Sequence, residues 1–133
     1  MRVCFLENTN FVYNSKDAYN EKLRGAETVL INLSKSLNKL GHKVTILNNC
    51  PKNEVLDEIN WININHYTKK DNPEWWRDIL KFMNEKNLDK VYIIVGSHTP
   101  HCLLESEDFI MDRVNMFRKN GKDVVLRIGN TPD

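Results

Sequence analysis

Apolar residues recur at helical spacing from residue 29 to residue 40: Val29, Leu30, Leu33, Leu37 and Leu40 share one face, while Asn32, Lys35, Ser36, Asn38 and Lys39 turn to water. Gly41 then stands where a left-handed C-terminal cap is wanted. Residues 43–47 have the β-branched, apolar character of a strand covered on both faces, as parallel sheets require. With a strand at residues 2–6 before the helix, this makes a βαβ unit.

Further along, residues 48–57 read as a connection and residues 59–64 as a third, weaker strand, with Ile62 and Ile64 on one face and Trp61 on the other. Asn72, Pro73 and Glu74 form a helix start, with an N-cap, a first-turn proline and an acid near the positive end of the dipole. That helix carries Trp76, Ile79, Leu80 and Met83 inward, and the aromatic set Trp75, Trp76 and Phe82 reads as core in preference to a binding platform. A near-continuous apolar run at residues 90–95 is a second buried strand. A third helix over residues 106–120 turns Phe109, Ile110, Val114 and Phe117 to the sheet and stops at Gly121, before a last strand at residues 123–128.

Strands alternating with helices imply an α/β fold: a Rossmann-like, three-layer α/β/α domain with a mainly parallel sheet of about five strands in the order 3-2-1-4-5. All 133 residues are expected in one such domain, long enough for one core and too short for two. The connection from residue 7 to residue 24 departs from the usual ~2 to 6 residues of a βα loop. It carries Asn8, Asn10, Asn14 and Asn20 among Phe11, Tyr13 and Tyr19, and it reads either as an insertion or as an adaptable loop over a hydroxyl-rich ligand.

Charge adds an exclusion. With 19 Lys and Arg against 18 Asp and Glu, nothing global suggests a nucleic-acid partner or a polybasic membrane anchor. No apolar run approaches the ~20 residues needed to span a bilayer, so no transmembrane segment is expected, and the missing signal pattern points to the cytoplasm. Cys4, Cys50 and Cys102 lack paired spacing, which suits reduced thiols.

Ligands of open α/β sheets bind beyond the carboxyl ends of the strands, where the strand order reverses. Two loops are expected there. One holds Arg24, Gly25 and Ala26 at a helix start, where a glycine lets the backbone approach a ligand and free N–H groups attract phosphate, sugar or carboxylate. The other is Gly96-Ser97-His98-Thr99-Pro100-His101, a polar cluster directly after a buried strand. His98 is suited to bind a hydroxyl or move a proton near neutral pH. Arg127 and Asn130 end the last strand on the same edge. His98-x-x-His101 with Cys102, and His66 approaching from elsewhere, has some look of a metal site, but no second ligand pair accompanies it and no metal is expected. Glu27 reads as a first-turn acid stabilised by the helix dipole.

The run RGAETVLINLSKSLNKLGHKVTIL, residues 24–47, resembles the first helix and second strand of GT-B glycosyltransferases of the retaining, nucleotide-sugar-dependent kind, where a Gly-Gly-Ala-Glu start and a Gly-His-x-Val end recur. The resemblance covers nearly the whole chain as the N-terminal, acceptor-side domain of such enzymes. It implies transfer of a sugar from a nucleotide-sugar co-substrate to a glycan, lipid or small-molecule hydroxyl. It makes His98 the catalytic-cleft histidine, with His101 as the fallback. Arg24 departs from the family, standing where the first glycine of the pair is usual, which puts a cation at the mouth. The family's C-terminal, donor-binding domain has no counterpart in these residues, so the chain alone is expected to be inactive and to bind no cofactor of its own. A separate donor-binding partner is one expectation; self-association through the uncovered cleft face and a peripheral position at the membrane are others. The alternative is a non-catalytic Rossmann-like module that binds a nucleotide or phosphosugar. A dinucleotide oxidoreductase is disfavoured, since no Gly-x-Gly-x-x-Gly opens the helix and Asn48 and Asn49 replace the acid after the second strand.

Overall fold

In β1 (Arg2–Glu7), Val3 and Phe5 enter one buried cluster of side chains and Cys4 and Leu6 the other, the signature of a central strand covered on both faces. A computed structural model describes this fold for residues 1–7, 12–17, 25–68, 74–95 and 107–128. The remaining elements are α1 (Gly25–Lys39), β2 (Lys43–Asn48), β3 (Glu54–Leu56), β4 (Ile59–Asn63), α2 (Trp75–Glu85), β5 (Lys90–Val95), α3 (Glu107–Lys119) and β6 (Asp123–Ile128). Single 3-10 turns occur at Ser15–Asp17 and Ile64–His66.

The protein is α/β, with a six-stranded, mostly parallel sheet in the order β3-β4-β2-β1-β5-β6. Strand count and order both depart from the expected five-stranded 3-2-1-4-5. The difference is β3, inside what the sequence reads as a connection: it pairs antiparallel with β4, Glu54 against Trp61 and Leu56 against Ile59. The hairpin turn is unusual in chemistry, because Asp57 and Glu58 hold φ of 53° and 63° without a glycine. That is why the sequence hides it.

The layers follow from the two clusters. Trp75, Trp76, Ile79 and Met83 of α2 and Ile110, Val114 and Phe117 of α3 cover one face of the sheet. Leu30 and Ile31 of α1 cover the other, over Phe5, Ile46 and Trp61. Trp75 and Trp76 are stacked core residues, not a platform, with Phe82 packed beside them. Ile62 and Ile64 pack with one cluster and Trp61 with the other, as the alternation predicts. The proposed cap at Asn72 and Pro73 lies outside the described residues; α2 starts at Trp75 behind Glu74, whose side chain makes no capping bond.

The orientation of α1 corrects the sequence reading. Val29, Leu33 and Leu40 are 54%, 44% and 75% exposed, while Glu27, Leu30, Ile31 and Ser34 are buried and Leu37 partly so. The buried set keeps the i, i+3, i+4, i+7 spacing but is turned toward Ile31 and includes the small, fully buried Ser34. The β3–β4 turn steadies that angle: Asn38 Nδ2 donates to the Asp57 carbonyl at 3.0 Å, and Lys35 pairs with Asp57 at 3.7 Å. Gly41 and Gly121 do end their helices, at φ of 91° and 82°.

Candidate functional site

β1, β2 and β4 end side by side at the carboxyl edge of the sheet, on Glu7, Asn48 and Asn63. α1 starts at this edge, because β1 runs into it and β2 returns parallel. The middle of the long first connection does not float free. Tyr13 is fully buried on the α1 side of the sheet, edge-on to Trp61 with ring centroids 6.0 Å apart. Its backbone N–H donates to the Asn49 carbonyl at 3.3 Å, and its own carbonyl accepts from Asn48 Nδ2 at 3.2 Å. Trp61 Nε1 donates to Ser15 Oγ at 3.1 Å, and the following turn is closed by Asn14 and Asp17 through mutual side-chain and backbone bonds.

A buried polar cluster results. The Tyr13 hydroxyl donates to Glu7 Oε1, with Glu27, Asn48 and Glu7 all buried around it. Burial pushes the Tyr13 hydroxyl well above its ordinary range, and the Glu7 charge and hydrogen bond push it further; a hydrogen bond from Asn48 pulls the other way, and the charge of Glu27 adds the smallest push. Tyr13 therefore keeps its proton and donates it to Glu7. A lip of amides borders this cluster: Asn65 Nδ2 donates to Asn49 Oδ1 at 2.7 Å, and Asn63 Nδ2 to the Cys50 carbonyl at 2.6 Å. Such a constellation can accept hydrogen bonds from a ligand and hold one donor in place.

Of the residues singled out from sequence, Gly25 and Ala26 form the first two positions of α1, so the glycine opens the helix itself. Arg127 is in β6, in register with Ile94. Arg24, Gly96, Ser97, His98, Thr99, His101 and Asn130 lie outside the described residues. His66 closes the 3-10 turn after β4, exposed, with its ring against Tyr67. Among the described residues no group of three or more His, Cys, Asp or Glu side chains converges as a metal site would need. Sequence reasoning missed Glu7, taken as the start of a loop, and Asn48, taken as the start of a connection and noted for not being an acid. Their shared signal was position: each is the polar residue that ends a buried apolar strand.

The opposite edge of the sheet carries an open groove of about 680 Å³ lined in part by Arg2, His42, Lys43, Glu58 and Lys86. One of its cations meets a helix end: Arg2 Nη1 donates to the Lys86 carbonyl at 3.1 Å, just past α2. No helix among the described residues is long and apolar enough to cross a membrane. Comparisons of the chain with protein-family models, with curated proteins and with solved structures find no match.

Proposed function

We propose that this chain is the acceptor-side domain of a retaining, nucleotide-sugar-dependent glycosyltransferase of the GT-B type. One observation carries the reading. The run from Gly25 to Leu47, which resembles that family, forms a helix and a central parallel strand, and its Gly-Ala-Glu start lies at the carboxyl edge beside a buried polar cluster. In this reading the chain holds a glycan, lipid or small-molecule hydroxyl, and a second domain brings the nucleotide sugar. Gly25 and Ala26 approach the ligand with backbone, Arg24 offers a cation, and His98 is the catalytic residue, with Gly96, Ser97, Thr99 and His101 of the same sequence run as further ligand contacts.

A backbone-amide NMR titration tests it, using methyl glycosides, nucleotide sugars, free nucleotides and sugar phosphates. Shifts at residues 25–27 and 96–101 with sugar-bearing ligands, and little response to free nucleotide, are expected. Tight binding of free nucleotide at Gly25, unaffected by His98→Ala, would instead make the chain a nucleotide-binding module.

A further inference from the structure

We infer that the groove at the amino edge of the sheet is a second binding site, one for a small phosphate monoester whose phosphate is held by Arg2, Lys43 and Lys86. The groove lies at the edge opposite the proposed acceptor site and is independent of it.

The register of the sheet builds the cationic wall. Arg2 and Lys43 open β1 and β2 as in-register partners. Each stands four positions before a leucine, Leu6 or Leu47, that packs in the cluster under α2, so strand alternation turns both to that face. Neighbouring strands lie about 4.8 Å apart, so two cations side by side repel. Lys86 adds a third charge beside them, since its carbonyl accepts from Arg2 Nη1 at 3.1 Å. The Arg2 carbonyl in turn accepts from the Asp89 N–H at 3.2 Å, which ties the segment after α2 to the start of β1.

Nearby lysines are neutralised, and these cations are not. Lys90, which opens β5 at the same edge, pairs with Asp123 at 3.0 Å, and Lys35 pairs with Asp57 at 3.7 Å. Among the described residues no carboxylate pairs with Arg2, Lys43 or Lys86. Glu58 is the one acid among the described lining residues, so three cations less one carboxylate leave a net charge of +2. A phosphate monoester carries about −1.5 to −2 at pH 7, and the guanidinium fork of Arg2 matches its oxygens.

The floor has room and partners for the organic part of the ester. Thr45 of β2 and Asn60 of β4 are in register on the same face, and Asn60 is opposed by Val55 of β3. Further along these strands the face is apolar, at Leu47 and Ile62; the polar pair is confined to the groove. Neither the Thr45 hydroxyl nor the Asn60 amide makes a side-chain hydrogen bond among the described residues. Val55 and Leu88 add apolar lining. The volume of about 680 Å³ exceeds what a bare phosphate fills and lies within the roughly 300–1,000 Å³ of small-ligand pockets.

Amide shifts of the whole chain, followed with phenyl phosphate, glycerol phosphate, inorganic phosphate and benzyl alcohol, test the site. At least one ester should move Arg2, Lys43, Thr45 and Asn60 at lower concentration than inorganic phosphate does, and benzyl alcohol should leave them unmoved. Lys43→Gln should weaken ester binding about tenfold, the effect of losing one charge-assisted contact. Its unfolding midpoint should not fall below wild type, because the repulsion with Arg2 is relieved. Lys52→Gln, at an exposed lysine past the other end of β2, should leave ester affinity unchanged. No ester binding at these amides, inorganic phosphate binding as tightly as both esters, or equal weakening by the two substitutions would overturn the inference. Shifts at residues 25–27 with glycosides bear on the transferase reading alone.

Discussion

Trp61, at the centre of β4, donates its indole N–H to the hydroxyl of Ser15, forty-six residues away in sequence, and both groups are buried. Removing the acceptor leaves that N–H without a partner in a closed core. Ser15→Ala should therefore lower unfolding free energy by about 1–3 kcal/mol. Trp61→Phe removes the donor together with bulk. In the double variant the loss should be smaller than the sum of the singles, because the orphaned N–H is gone. Urea unfolding of all four proteins measures the coupling, and strict additivity would mean that the bond contributes nothing.

The rotation of α1 makes a sharp contrast between neighbours in sequence. Ile31 is fully buried against the sheet, whereas Leu33 is 44% exposed. Ile31→Ala should cost about 2–5 kcal/mol and Leu33→Ala less than about 1 kcal/mol, since alanine's helix propensity offsets the little burial lost. Equal losses would put the helix back in the orientation its leucine pattern suggests.

Glu58 sits in the left-handed region at φ 63° in the β3–β4 turn, where a Cβ is strained. Glycine is at home there, as the second residue of a two-residue hairpin turn. Glu58→Gly should raise stability by about 0.5–1 kcal/mol, the relief of strain exceeding the extra entropy of the unfolded chain. Asp57 is best left in place, since its carbonyl and carboxylate hold Asn38 and Lys35. A drop in thermal midpoint for Glu58→Gly would show that this turn is not strained.

These three sites also show where the sequence was readable. Among the described residues, period and apolar content locate the parallel strands and the three helices, because the buried apolar runs of β1, β2 and β5 and the alternation of β4 each leave a distinct pattern. The azimuth of α1 was not readable: its leucines span a wider arc than the sheet covers, and Ser34 and Glu27 mark the buried side only once the sheet is there. β3 was hidden by a turn that uses Asp57 and Glu58 where glycine or asparagine would announce it. The polar cluster was invisible for a different reason. Tyr13 meets Glu7 by folding the first connection back over the strand end it has just left, and no local spacing encodes that return.

The same cluster predicts how stability responds to alkali. Burial and the carboxylate of Glu7 raise the Tyr13 hydroxyl above its ordinary value of 10.0, and burial raises the Cys50 thiol from 9.0 to about 11; Cys4 is shifted in the same direction. In each case the folded chain keeps the neutral, protonated form to higher pH than the unfolded chain does. The unfolded state then binds fewer protons, so stability falls as pH rises. This contribution is whole below about pH 9, where unfolded thiols begin to ionise, and declines through about pH 10 as unfolded tyrosine follows. Tyr13→Phe should be less stable than wild type near neutrality, having lost the bond to Glu7, by about 1–3 kcal/mol. Its pH dependence should be shallower, so the two proteins converge in alkali, while Cys50 and Cys4 still tilt both curves downward. Urea midpoints followed from neutral pH into alkali decide the matter: parallel curves would show that Tyr13 does not ionise later in the folded chain than in the unfolded one.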